Sequence, residues 1–236
     1  IRYSEAVAQF IELFKQSIEQ FGCIVIRGVF STQEAAPLKR EVEDLFYLIE
    51  HMQRLGVMGE NGIKYLQGGH PANLVPNMQI IQNLLNKVSF IESLQSYFGE
   101  NELEIFFEST GVRRCDPKRW KNFLPWHQDI LHRKETFLTI WIPLCRANDT
   151  APGLELVPVA LKEKLHQQDG LAVTYGNGMP DEDVTQHCGP ERFHPVLDIG
   201  DVILFSPYTL HRSYQTEEMS DERLSIDMRI HPATSN

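Results

Sequence analysis

Residues 200–230, GDVILFSPYTLHRSYQTEEMSDERLSIDMRI, hold two apolar runs, a histidine between them and two arginines on the second run. Gly200-Asp201 reads as a turn and Val202 to Phe205 as a buried strand; Leu224 to Ile230 reads as a second strand led in by Arg223. His211 falls six residues past the first strand, and Ser225, two positions beyond Arg223, projects to the same face of an extended chain. The same texture reaches back to Leu103. Leu103 to Thr110, Phe137 to Leu144, Leu154 to Val157 and Val196 to Ile199 are further strand candidates, with no long helix between them. Short strands with turn punctuation predict a β-sandwich or barrel of the jelly-roll kind.

The front of the chain differs. Val7, Phe10, Ile11, Phe14 and Ile18 share one face of a 3.6-residue period, which predicts an amphipathic helix to about Gln20. Cys23-Ile24-Val25-Ile26, closed by Gly28, suits a buried strand. Ser31-Thr32-Gln33-Glu34 carries the capping-box pattern, and Leu38, Val42, Leu45, Phe46, Ile49 and Met52 continue a helical stripe behind it. Another long helix is expected over about Met78 to Phe98, preceded by a loop from Gly56 to Pro76 long enough to be functional or disordered. The expected architecture is mainly β with flanking helices (α+β). A double-stranded β-helix (jelly roll, cupin-like) core over 101–236 follows a helix-rich front over 1–100, the two forming one domain over 1–236.

Composition narrows the function classes. A net charge of −10 argues against nucleic acid or an anionic membrane as partner, since both demand a basic surface. No apolar run approaches the roughly 18 residues of a membrane span. Cys23, Cys115, Cys145 and Cys188 are scattered without a C-x-x-C pair, so neither a zinc knuckle nor a disulfide framework is suggested, and a reducing cytoplasm is the expected compartment. The sequence begins at Ile1 rather than Met, which leaves room for a preceding segment, a removed targeting sequence included.

Trp126-His127-Gln128-Asp129 supplies the partner for His211. In an extended strand His127 and Asp129 project to one face, and the 82 positions from Asp129 to His211 allow the chain to cross several strands and return beside them. Two histidines and one carboxylate with open positions are the ligand set of a non-haem Fe(II) site. A zinc hydrolase would use the same three donors with water in the open position. Arg223 favours iron: a guanidinium fork pairs bidentately with a carboxylate and stays charged, and with the Ser225 hydroxyl beside it forms a receptor for the distal carboxylate of 2-oxoglutarate.

These segments resemble the phytanoyl-CoA dioxygenase-like branch of the Fe(II)/2-oxoglutarate-dependent oxygenases. Phe21 to Gly28 looks like the family's opening strand and Trp126-His127-Gln128-Asp129 its first metal motif. Trp141-Ile142-Pro143-Leu144 and Pro152 to Pro158 look like its central strands, and Gly200-Asp201-Val202 with His211-Arg212-Ser213 its closing one. Arg223 stands where the family places its cosubstrate arginine. The resemblance implies His127, Asp129 and His211 as catalytic metal ligands, Arg223, Ser225, Ser213 and Trp141 around the cosubstrate, and Fe(II), 2-oxoglutarate and O2 as the reactive set. It implies hydroxylation of an unactivated C–H bond of a small molecule, with release of succinate and CO2. Family halogenases carry a small residue in place of the metal carboxylate, so Asp129 points to a hydroxylase. Two departures stand out: Val159-Ala160-Leu161 follows Pro158 where the family often continues Pro-Gly-Ser-His, and Arg229 is a second arginine able to replace Arg223 as anchor.

Arg113, Arg114, Lys118, Arg119 and Lys121 make one basic segment in an acidic chain. A solvated hairpin tip is the plain reading, and contact of Arg113 or Arg114 with an anionic substrate the sharper one. Leu171 to Pro195 reads as a long loop over the cavity mouth, and His187, Cys188 and His194 match no zinc spacing. Trp126, Trp141 and Tyr214 are pocket candidates, although aromatic residues on such strands usually serve the core. An oxygenase acting on a protein or carrier-bound group, and a metal-dependent hydrolase or isomerase that ignores 2-oxoglutarate, remain the alternatives.

Overall fold

The computed structural model describes residues 7–57, 82, 86–106, 109–118, 123–130, 136–166, 168–169 and 177–233. A helix α1 (Val7–Phe21) leads into strand β1 (Cys23–Ile26), and α2 (Thr32–Arg54) follows with the capping box formed as expected between Ser31 and Glu34. Helix α3 covers Val88–Phe98. The expected single helix from Met78 does not run through, because Lys87 is extended (φ −63°, ψ 123°) and its ammonium reaches Glu34 at the start of α2. Residues 78–81 and 83–85 of that helix, and 58–76 of the predicted loop, lie outside the described residues.

The strands β2 (Leu103–Ile105), β3 (Gly111–Cys115), β4 (Leu138–Pro143), β8 (Val202–Phe205) and β10 (Arg223–Pro232) join β1 in one antiparallel sheet ordered β1-β8-β4-β10-β2, with β3 also on β10. A smaller sheet pairs β5 (Gly153–Leu156) with β9 (His211–Tyr214), and β6 (Gln168–Asp169) pairs with β7 (Asn177–Gly178). Trp126 and His127 extend the smaller sheet by single bridges to Met179 and His211. The two sheets make a jelly roll, as the strand spacing predicted.

Alternation decides what each face does. Leu224, Ile226, Met228 and Ile230 of β10, with Leu138, Ile140 and Ile142 of β4 and Val202 and Leu204 of β8, join Phe10, Phe14, Leu38, Val42 and Phe90 in a core beneath the helices. The intervening residues face the smaller sheet. Among them Trp141, Ile203 and Phe205 pack with Leu154, Leu156 and Leu197 in a second, inter-sheet cluster. Strands buried on both faces read as continuous apolar runs, which is why they were legible.

Three expectations are corrected. The basic segment is no hairpin tip at its start, because Arg113 and Arg114 sit inside β3, paired with Ser225 and Leu224 of β10. Residues 119–122 of that segment lie outside the described residues. Val196 to Ile199 forms only isolated bridges, at Leu197 to Ala147 and Ile199 to Asp201, since Asp198 and Gly200 turn the chain toward β8. Within Leu171 to Pro195, where a loop was expected, helix α4 (Asp181–Cys188) buries Val184, and Asp181, Glu182 and Asp183 in its first turn suit a helix N-terminus. Residues 171–176 of it lie outside the described set. All four cysteines are free, and no helix among the described residues is long and apolar enough to cross a membrane.

Candidate active site

His127 and His211 face each other across the edge of the smaller sheet. Their main chains exchange two hydrogen bonds, His127 N to His211 O at 3.0 Å and His211 N to His127 O at 3.1 Å, which sets the two rings 4.1 Å apart by their centroids. The carbonyl of Pro125 accepts from His127 Nδ1 at 2.8 Å and that of Thr209 from His211 Nδ1 at 3.0 Å. Both contacts place the proton on Nδ1 and leave the Nε2 lone pair for a metal. Asp129 Oδ1 lies 3.9 Å from His127 Nε2 and 3.8 Å from His211 Nε2. The donor atoms of these three residues fall within 4.8 Å of one another, the one such grouping among the described residues.

Between the two donors of its own strand, Gln128 points away and is tied down. It donates to Tyr208 O (2.7 Å) and Glu163 O (3.1 Å), and accepts from Leu165 N (2.8 Å). Trp126, buried on the far side, packs with Val157, Met179, Val184 and Leu210, lies under the Arg212 guanidinium and donates to Asp181 Oδ1 at 2.7 Å. It belongs to this packing and not to the cavity; Tyr214 likewise stacks on His194. Trp141 does line the cavity.

The larger sheet supplies the opposite wall. Asp129 Oδ2 accepts from Arg229 Nη2 at 2.7 Å and from Thr139 Oγ1 at 3.0 Å. Arg229 Nη1 donates to Asp227 Oδ2 and to Ser109 O, the latter at 2.5 Å, and Arg113 Nε donates to Asp227 Oδ1 at 2.7 Å. Acid and base thus alternate from Asp129 through Arg229 and Asp227 to Arg113. Burial alone would raise the Asp129 carboxyl, but Arg229 and the two imidazoles outweigh it and hold the group well below the usual carboxylate range. Burial, helped by His211, pushes the His127 imidazole down to about 3, and burial lowers His211 as well, so both are neutral and able to ligate near pH 7.

Arg223 lines the same cavity. It is 2% exposed; Nη1 donates to Gly153 O at 3.2 Å, Nη2 lies 2.7 Å from Cys115 Sγ, and the guanidinium lies 5.7 Å from the Trp141 ring centroid. No carboxylate pairs with it among the described residues, and its Nε and the Ser225 hydroxyl are buried without hydrogen-bond partners. Buried polar groups are normally satisfied. The walls, which also include Leu124, Leu154, Phe205 and Ser213, surround a small cavity of about 30 Å³. Ser213 is partly engaged, its hydroxyl accepting from Leu124 N at 3.1 Å.

Of the predicted residues, His127, Asp129, His211, Arg223, Ser213, Trp141 and Arg113 converge on this cavity, and Ser225 lies on the same face of β10 as Arg223. Arg114 does not. Adjacent residues of a strand point to opposite faces, and Arg114 ion-pairs on the other side with Glu50 of α2 (2.6 Å) and Glu222 (2.7 Å). Thr139 and Asp227 escaped the sequence reading. The polar series at every second position from Arg223 to Arg229 was the available signal.

A jelly roll that brings two histidines and a carboxylate together defines the class: a β-sandwich fold with a candidate metal centre. The chain belongs to the phytanoyl-CoA dioxygenase (PhyH) family, which matches residues 18–219. That match stops short of Arg223. No curated protein sequence matches the chain. Among solved structures it is similar to the epimerase SnoN in complex with Fe3+, alpha-ketoglutarate and nogalamycin RO (17% identity, TM-score 0.63, covering 96% of this chain and 85% of that one). It is also similar to the non-heme alpha-ketoglutarate-dependent carbocyclase SnoK from nogalamycin biosynthesis (14%, TM-score 0.66, covering 97% and 87%). A third similar structure is EctD from S. alaskensis with 2-oxoglutarate and 5-hydroxyectoine (14%, TM-score 0.61, covering 97% and 76%).

Proposed function

We propose that the protein is an Fe(II)- and 2-oxoglutarate-dependent oxygenase that hydroxylates an unactivated C–H bond of a small anionic molecule. The observation that carries the reading is the presence of two kinds of group on the walls of one cavity. Three converging metal donors line it, and so does a buried guanidinium with no carboxylate partner among the described residues. The donor set fits iron, with two neutral imidazoles and one anionic oxygen leaving positions open. The Arg223 environment fits a dicarboxylate, because the guanidinium lines the cavity with no counter-charge among the described residues and its Nε lacks a partner. Arg229 is the poorer anchor: its Nε, like that of Arg223, has no partner, but its Nη1 and Nη2 are committed to Asp227, Ser109 and Asp129, and two carboxylates already neutralise it. A zinc hydrolase would leave Arg223 without a role.

Iron and 2-oxoglutarate, when bound, supply oxygen activation coupled to decarboxylation to succinate. The chain's own residues do the rest. His127 and His211 would hold the metal through Nε2 and Asp129 through Oδ1, and Arg223 with Ser225, Ser213 and Trp141 would orient the cosubstrate. Leu154, Phe205 and Trp141 exclude water from the cavity. Arg113, lining the same cavity on β3, is the residue that would meet an anionic group of the substrate. The four free cysteines support a reducing compartment such as the cytoplasm.

The test is succinate formation under air with Fe(II), 2-oxoglutarate and a library of small acids, followed by product mass. Hydroxylation gives a product heavier by one oxygen; an unchanged mass would indicate epimerisation and loss of two hydrogens a cyclisation or desaturation. Productive binding of Zn(II) without any use of 2-oxoglutarate would overturn the oxygenase reading.

A further inference from the structure

Asp129 differs from the two histidines in how it is held. The histidines are fixed by their mutual main-chain bridge and by their carbonyl partners, whereas Asp129 lies one residue past the bridged pair and Gln128, outside the ladder. Its carboxylate is fixed instead from the opposite sheet, by Arg229 of β10 and Thr139 of β4, which face each other across the register Arg229 to Thr139. Both donors take the same oxygen, Oδ2, while Oδ1 is the oxygen near the two imidazole nitrogens. Arg229 is itself held in place, 8% exposed, by Asp227 and Ser109, and Asp227 by Arg113.

Resting on the metal-site reading above, we infer that Arg229 and Thr139 are positioning residues that confine Asp129 to ligation through Oδ1 alone. An aspartate free to rotate can offer both oxygens and take a second metal position. With Oδ2 occupied by two donors, it takes one. The triad would then supply three ligand atoms to a bound metal and no fourth. Partners that orient a ligating carboxylate typically change metal affinity about 10–100-fold when removed.

The metal-free protein is titrated with Co(II) without 2-oxoglutarate, so that the readout is metal affinity and not turnover. Thr139→Val removes one donor with little change in volume and is expected to weaken Co(II) binding about 10-fold, with Thr139→Ser restoring it. Arg229→Lys keeps the charge but cannot span Asp129, Asp227 and Ser109 O together, and is expected to lose toward 100-fold. In an Asp129→Ala background, Thr139→Val should cost nothing further, because the effect passes through Asp129. Should Arg229→Lys fail to fold, Thr139→Val alone decides. Wild-type affinity in folded Thr139→Val, or a loss that persists in full without Asp129, overturns the inference while leaving the oxygenase reading intact. A wild-type protein that binds no Co(II) overturns the metal site and the inference with it.

Discussion

Replacing Arg223 by Met should make the metal-loaded protein more stable and blind to 2-oxoglutarate at the same time. The guanidinium is 2% exposed and has only Gly153 O, Cys115 Sγ and the Trp141 face around it, with no carboxylate among the described residues. A buried charge without a counter-charge is held at a cost, and an apolar side chain of similar length removes that cost, about 1–4 kcal/mol by analogy with buried ion groups replaced by apolar ones. Cosubstrate binding acts in the other direction on the wild type. At a ligand concentration of about 100 Kd, linkage adds roughly 2.7 kcal/mol. For a chain of this size that corresponds to about 5–11 °C in Tm, at roughly 2–4 °C per kcal/mol. Thermal unfolding with Co(II), with and without 2-oxoglutarate, reads both effects. Arg223→Met should melt at or above the wild-type temperature without 2-oxoglutarate and show no shift on its addition. A variant that melts far lower, as loss of about 3–5 kcal/mol from a broken buried pair would demand, refutes the argument, and so does one that keeps the cosubstrate shift.

Arg113→Ala should raise substrate KM without changing 2-oxoglutarate affinity, whereas Arg114→Ala, on the opposite face of β3, should change neither; substrate-stimulated succinate formation measures both, and equal effects would refute the assignment by face. Gly153→Ala should cost about 1–3 kcal/mol in urea unfolding. Its new Cβ would stand 1.9 Å from Asn148 Oδ1, and that side chain is pinned by its donations to Leu154 O and Pro195 O; an unchanged midpoint would count against this packing. The metal-free protein should lose stability as pH falls below about 6.5. Burial holds His127 at about 3 and lowers His211, so the unfolded chain binds more protons than the folded one below its ordinary histidine value, and stability rises with pH through that window. Each histidine contributes a slope of up to about 1.4 kcal/mol per pH unit, and a flat profile between pH 7.5 and 5.5 would refute the neutral, buried pair.

The strands were legible where both faces are apolar and the ladder leaves no ambiguity, as in Val202–Phe205, which the sequence delimits at the observed residues. Strand β3 was missed because two arginines in succession look solvated. Their partners, Asp227 for one and Glu50 and Glu222 for the other, lie 64 to 114 positions away, and no local pattern announces a buried or half-buried charge. Helix α4 was hidden by glycine and proline on either side of an eight-residue element. His127, Asp129 and His211 were legible as candidate donors because His-x-Asp needs only the period of an extended chain, and Arg223 as a candidate anchor because a guanidinium is unusual on such a strand. The grip of Arg229 and Thr139 on Asp129 depends on the register between β10 and β4, which sequence spacing does not encode.

That register is itself protected by the apolar half of β10. Leu224, Ile226, Met228 and Ile230 are buried beneath the helices, so a slip of one residue would drive Arg223, Asp227 and Arg229 into that core and send four apolar side chains into the cavity. The helical front therefore shapes the candidate site without lining it. By burying one face of β10 it fixes which residues the other face presents, and it does so on a strand paired along both edges. Asp129, outside any ladder, borrows that rigidity through Arg229, and the two histidines have no such need because they lock each other.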